Sequence, residues 1–161
     1  MRATVAAAGA GRRIAAVALY GAAMGWLEAV VVVYLRALVG IGPGEAMPAG
    51  AEIMRRFAER PWMLPTEQGR EAATILMLAA VGWLAAPRWP GRLGAFLLAF
   101  GVWDITYYAG LWAHLRWPPS LLAMDVLFLI PPHPWWTQPV IVPVAISCGF
   151  VALGARLMSR R

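Results

Sequence analysis

The stretch IAAVALYGAAMGWLEAVVVVYLRAL, residues 14–38, decides the fold. A membrane-spanning helix needs about 20 predominantly apolar residues. This run exceeds that length with one acid, Glu28, near its middle and one base, Arg36, near its end. Arg12 and Arg13 precede it as they would a secretory signal, but a signal's apolar region runs only about 7–15 residues. The stretch therefore reads as an uncleaved signal anchor. The rest of the chain agrees: of 161 residues, 61% are hydrophobic and 14% charged, with a mean hydropathy of +0.63. An ordinary soluble domain is roughly 45–50% apolar and about 25% charged. It buries only about 68–70% of its surface at this size, too little to hide so many apolar side chains. A soluble enzyme, a disordered chain and a disulfide scaffold are excluded; an integral membrane protein remains.

Outward from the first helix, residues 40–65 form a loop rich in Gly and Pro, within which residues 49–60 are predicted as a short amphipathic surface helix. A second span is predicted over residues 67–86, with Pro65 before it, Thr66 as N-cap and Pro87 as its stop. A third covers residues 93–115 and a fourth residues 140–158, kinked near its start by Pro143. Between them SLLAMDVLFLI, residues 120–130, is hemmed by Pro118-Pro119 and Pro131-Pro132. As a helix it reaches only ~18 Å, against a hydrocarbon core of ~30 Å. Charge gives an independent argument. The 14 basic residues are all Arg and the net charge is +6. Placing Arg2, Arg12, Arg13, Arg88, Arg92, Arg156, Arg160 and Arg161 in the cytoplasm satisfies the positive-inside tendency only if the short segment re-enters. The expected fold is an all-α integral membrane protein, a single domain over residues 1–161. It has four transmembrane helices plus a short re-entrant (or fifth short) helix, in a hairpin over residues 118–137. Both termini are expected on the cytoplasmic face of a bacterial inner membrane. The sequence has no internal repeat of the kind many transporters carry.

Ionisable groups at membrane depth are costly and by default mark function. Glu28 in WLEAVVVVYLR, Asp104 in FGVWDITYY and Asp125 in AMDVLFLIPP are such groups. They are expected as acid/base or cation-binding residues. Glu71 in REAATILML lies about one turn inside the second helix and is expected to form a gating or anchoring pair with Arg70. On the third helix Asp104, Tyr107, Tyr108, Leu111 and Trp112 recur at the spacing of one face, so Tyr107 and Tyr108 become supporting donors to Asp104. His114 and His133, near the two ends of the hairpin, complete the candidate ligand-binding set. A plainer reading makes the acids structural ion pairs with Arg36 or Arg70. Likewise Trp112, Trp117, Trp135 and Trp136 read most simply as an interfacial aromatic belt.

Several chemistries lack their signatures. Carboxylates with a His suit a hard divalent cation, yet there is no Glu-x-x-His, His-Glu-x-x-His or Cys-x-x-Cys spacing. Haem would need His114 and His133 in opposed axial positions, which no pattern here indicates. Nucleophile-elbow, P-loop and dinucleotide motifs are missing, and Ser120, Ser147 and Ser159 have no base nearby in sequence. Gly21 and Gly25 fit a close-packing spacing on the first helix without organising the others. The single Cys148, expected buried, forms no intrachain disulfide. The arginines sit at the ends of apolar runs, which points to lipid headgroups and away from nucleic acid.

The combination WLEAVVVVYLR, REAATILML, FGVWDITYY and DVLFLIPP followed by a Trp pair resembles a group of small bacterial multi-spanning membrane proteins, over residues 25–143. The resemblance implies the membrane fold and carries no activity. The expected function is a carboxylate- and tyrosine-lined intramembrane pocket open to the periplasmic side, acting on a cation, a metal ion or a lipid-like ligand. Two other classes remain. A small proton-coupled transporter predicts polar residues continuing to the cytoplasmic ends of the helices. An accessory subunit predicts acids satisfied internally and a fixed partner. Four helices are few for a complete transporter, which points to a homo-oligomer or a larger membrane complex.

Overall fold

The apolar runs fold as helices in the computed structural model, which describes residues 2–48, 50–130 and 136–160. The order is α1 (Arg2–Leu38), α2 (Gly50–Ala58), α3 (Met63–Ala85), α4 (Trp89–Leu115), β1 (Met124–Val126), β2 (Thr137–Pro139) and α5 (Ile141–Ser159). Three helices, α1 from Gly9 onward, α4 and α5, are long and apolar enough to cross a membrane. Helix α3 has the length, 23 residues, but Glu67, Gln68, Arg70 and Glu71 crowd its first turns. By composition it is not a span of the same kind, so the expected fourth crossing does not stand on apolarity alone.

The helix ends differ in detail from the expectation. Helix α3 starts at Met63, so Pro65 sits in its first turn, where the missing N–H has no partner to lose. Thr66 does not cap; its hydroxyl donates back to the Trp62 carbonyl at 2.7 Å. Pro143 likewise falls in the first turn of α5.

Packing is set by small residues. A Cβ on Gly21 would stand 2.6 Å from the Ala99 carbonyl oxygen, one on Gly25 would collide with the Trp103 carbonyl, and one on Gly110 would meet Ala29 at 2.6 Å. Contacts that advance together along both chains make α1 and α4 parallel neighbours. On α4's other side Gly94 faces Gly154 and Met158 while Gly101 faces Ser147 and Val151, so α5 runs antiparallel. The Gly21/Gly25 spacing thus belongs to a larger glycine seam that does organise the bundle, with α4 at its centre. Cys148 is exposed on the outer face of α5, contrary to its expected burial.

Because α4 and α5 are antiparallel, the connecting chain leaves and returns at one end of the bundle. Residues 116–130 contain no helix, which corrects the expected short helix over residues 120–130. Met124–Val126 instead pairs antiparallel with Thr137–Pro139, opposing Asp125 to Gln138. Pro118 and Ile130, each followed by a proline, are biased away from helical backbone, and the extended strand finds its hydrogen bonds across the ribbon. Leu127 N–H bonds the Trp136 carbonyl at 2.8 Å, Val140 N–H the Ala123 carbonyl at 3.0 Å and Ile141 N–H the Leu121 carbonyl at 2.8 Å. At the same end α2 lays Ile53 and Phe57 onto Val39, Ile41 and Met63. Its apolar face therefore covers protein, while Glu52, Arg55, Arg56 and Glu59 form ion pairs outside.

The glycine seam tolerates no larger side chain. Gly25→Leu is expected to cost about 3 kcal/mol through overpacking against α4, read as a lowered unfolding temperature in detergent. An equivalent change at Gly69, which has open space, should leave that temperature nearly unchanged.

Candidate functional site

Helical periodicity turns three polar faces toward one point. On α3, Glu67, Arg70, Glu71 and Thr74 share a face, as do Phe100, Trp103, Asp104, Tyr107 and Tyr108 on α4. On α1 the face carries Glu28, Val32, Leu35 and Arg36. These faces, with the hairpin and α2, enclose a cavity of about 250 Å³ that five carboxylates and two arginines line. Val32, Leu35, Ile75, Phe128, Ile146 and Phe150 supply much of its apolar wall.

Each carboxylate is held. Arg70 bridges two helices: its Nη1 donates to Glu28 Oε1 and its Nε to Glu67 Oε2, the latter at 2.7 Å. Thr74 adds a hydroxyl to Glu28 Oε2 at 3.2 Å. Asp104 accepts the Ser147 hydroxyl of α5 at 2.8 Å. Asp125 accepts the Tyr108 hydroxyl at 3.0 Å and its neighbour's N–H, from Val126, at 2.9 Å. Glu71 takes the Leu129 N–H with both oxygens, at 2.9 and 3.1 Å, while Gln68 donates to the Leu129 carbonyl at 3.1 Å. One helix turn of α3 thus satisfies both backbone groups of a residue in the irregular segment.

Arg36 is bound differently. It is 2% exposed, its Nη2 donates to the Glu45 carbonyl at 2.8 Å, and its guanidinium lies 4.7 Å from the centre of the Trp117 ring. Its Nε and Nη1, and the indole N–H of Trp103, have no hydrogen-bond partner among the described residues.

The site both gathers and rearranges the expected residues. Glu28, Asp104, Asp125, Glu71, Arg70, Tyr107 and Tyr108 all line the cavity. The expected Glu71–Arg70 pair is not formed, because Arg70 reaches Glu28 and Glu67 while Glu71 is committed to Leu129. The tyrosines do not serve Asp104: Tyr108 turns to Asp125, and Tyr107 packs edge-on against it, ring centres 5.1 Å apart. His114 is excluded from the site; it is exposed, bonds the Gly110 carbonyl at 2.8 Å and stacks beside Trp26. His133 and Trp135 lie outside the described residues. Of the expected aromatic belt, Trp117 is buried at 1% exposure, whereas Trp112 is 53% exposed and stacks with Arg116. Among the described residues no group of three or more His, Cys, Asp or Glu is placed to hold a metal.

No protein-family model matches this chain, and neither curated proteins nor solved structures give a match. The geometry alone carries the argument.

Ser147, Glu67, Thr74 and Gln68 were not singled out from sequence. Ser147 could have been found by aligning α4 and α5 antiparallel through their glycines, which sets it opposite Asp104. Glu67 was hidden because its place near a helix start already explains an acid.

Asp125 sits in β1, outside the long helices. Burial pushes its carboxyl up to about 6, against the pull of the Tyr108 hydroxyl, the Val126 N–H and the Arg36 charge. A value raised above the ordinary 3.8 means that folding favours the protonated form. Its contribution to stability is therefore complete below that ordinary value and is lost as pH rises through about 6. Infrared spectra should show protonated-carboxyl absorption that titrates near pH 6 and loses intensity in Asp125→Asn; absorption unaffected by that change overturns the assignment. The Arg70 bridge gives a second expectation. Glu28→Gln should lower stability by about 3 kcal/mol, since it leaves an enclosed guanidinium one partner short. Adding Arg70→Gln should recover part of the loss in thermal unfolding.

Proposed function

We propose that the chain is a polytopic membrane protein whose cavity binds, or acts on, an amphiphilic lipid-like ligand. The observation that carries this reading is the cavity's composition. Five of the chain's eight acids and two arginines share it with a wall of large apolar side chains. Ligand sites of this kind are mostly apolar with a few placed polar groups. Glu28, Asp104 and Asp125 are the candidate acid/base groups, Tyr108 a donor to one of them, and the Glu28–Arg70–Glu67 bridge the rigid frame. A bound metal ion is the weaker reading, because the carboxylates are already committed to separate donors.

The proposed topology follows from charge. Arg12, Arg13, Arg88, Arg92, Arg156 and Arg160 collect at the bundle end where α1 starts and α5 stops, and no acid lies there. The positive-inside tendency puts that end in the cytoplasm of a bacterial inner membrane, and the hairpin, α2 and the cavity toward the periplasm. Helix α3 then serves as the fourth span, its charges turned inward: Glu67 and Glu71 are 7% and 8% exposed. A proton-coupled transporter is less well supported, since no carboxylate continues the polar path toward the arginine-rich end.

The test is extraction of the detergent-purified protein followed by mass spectrometry of what it carries, with a filled-cavity variant, Ile75→Trp, as comparison. An amphiphile carried by the native chain and lost from a folded Ile75→Trp variant is the expected outcome. A native protein that carries no amphiphile and is not stabilised by any added lipid would sink the proposal.

A further inference from the structure

The polar atoms in the cavity have an imbalance of one sign. Its carboxylate oxygens are served by donors from Arg70, Thr74, Ser147, Tyr108, Val126 and Leu129. Among the described residues, the buried side-chain atoms without a partner are Arg36 Nε, Arg36 Nη1 and Trp103 Nε1. All three are N–H donors, and both residues line the same cavity. What the site lacks is an acceptor.

Arg36 is the stronger of the two. A guanidinium stays charged, so it cannot escape an enclosed position by losing a proton. Its Nε and Nη1 flank Nη2, and the Glu45 carbonyl takes only one of the two Nη2 hydrogens; the other completes, with Nε or with Nη1, a two-donor edge that matches two oxygens of one phosphate or carboxylate. Its orientation is fixed before any ligand arrives, by the Glu45 carbonyl on Nη2 and by the Trp117 ring beneath it. Asp125, the nearby acid, accepts from Tyr108 and Val126 and makes no hydrogen bond with Arg36.

We infer that Arg36 is the anchor for an anionic oxyanion head group, a phosphate ester above all, on the ligand that occupies this cavity. The inference rests on the amphiphile reading and adds the sign and chemistry of the head group. Trp103, on the α4 face, offers a separate N–H to another oxygen of the same ligand. The carboxylates leave these donors free: Glu28 and Glu67 share Arg70, and Asp104, Asp125 and Glu71 accept from Ser147, Tyr108, Val126 and Leu129.

The test uses the full-length chain in an uncharged detergent and measures binding by calorimetry and by ligand-induced rise in unfolding temperature. Three probes are compared: a short-chain phosphatidic acid, the diacylglycerol of the same chains, and inorganic phosphate. Phosphatidic acid is expected to bind at least tenfold more tightly than the diacylglycerol. That advantage should shrink in Arg36→Lys, which keeps the charge but not the fork, and vanish in Arg36→Gln. Saturable binding of inorganic phosphate alone, lost in the same variants, would support the anion site and name free phosphate as its source. Equal affinity for phosphatidic acid and diacylglycerol in the native chain overturns the anion inference and leaves the amphiphile reading standing. Binding of none of the three, by a protein that also carries no co-purified amphiphile, overturns both. The comparison of probes on the native chain decides the matter even if the Arg36 variants fail to fold.

Discussion

Residues 124–129, in the chain that joins α4 to α5, run beside the cavity outside any helix, and their peptide groups need partners elsewhere. Away from water an unpaired backbone group costs as much as a lost hydrogen bond or more. The answer lies on α3: Glu71 grips the Leu129 N–H and Gln68, one turn earlier, holds the Leu129 carbonyl. With that residue fixed, the two-stranded ribbon behind it brings Asp125 against Tyr108. The same placement brings Phe128 to the cavity wall, ring centres 5.1 Å from Trp136. Irregular backbone away from water is tolerated where it lines a cavity within the protein, as residues 125–129 do here. Two polar side chains of one helix turn thus decide where the hairpin lies.

The second constraint is steric. Helix α4 meets α1 through glycines on one side and α5 through glycines on the other. Close backbone approach there leaves α3 as the looser neighbour of α1, and the two are joined mainly by the Arg70 bridge to Glu28. A gap between tightly and loosely packed pairs of helices is a cavity, and here its lining is charged. Packing therefore explains why there is space, and electrostatics explains why the space does not close.

Much of the fold was legible. Long apolar runs, proline punctuation and the amphipathic stretch after α1 located every helix that formed, because length and periodicity are local properties of the chain. The hairpin's strands were not legible, since SLLAMDVLFLI has the composition of a buried helix as much as of a strand, and its partner, residues 137–139, holds a proline. At the site, burial cost picked out Glu28, Glu71, Asp104 and Asp125, all of which line one cavity. Their pairings escaped the sequence because they depend on helix rotation and register. Arg70 meets Glu28 from 42 residues away, and Asp104 meets a serine on another helix. His114 was overvalued because its position near the hairpin says nothing about which way its ring faces.

The separation between Glu28 and its guanidinium partner has a consequence for biosynthesis. The α1 segment is made first, and its acid is synthesised 42 residues before Arg70. At about 5–20 residues per second that interval lasts on the order of 2–8 s. Through it α1 bears an uncompensated carboxyl whose charged form costs ~2.5–3.5 kcal/mol at mid-depth. Compensation waits for α3, which brings the Arg70 guanidinium to it. Assembly of this bundle is in that sense a delayed charge pairing, completed by α3.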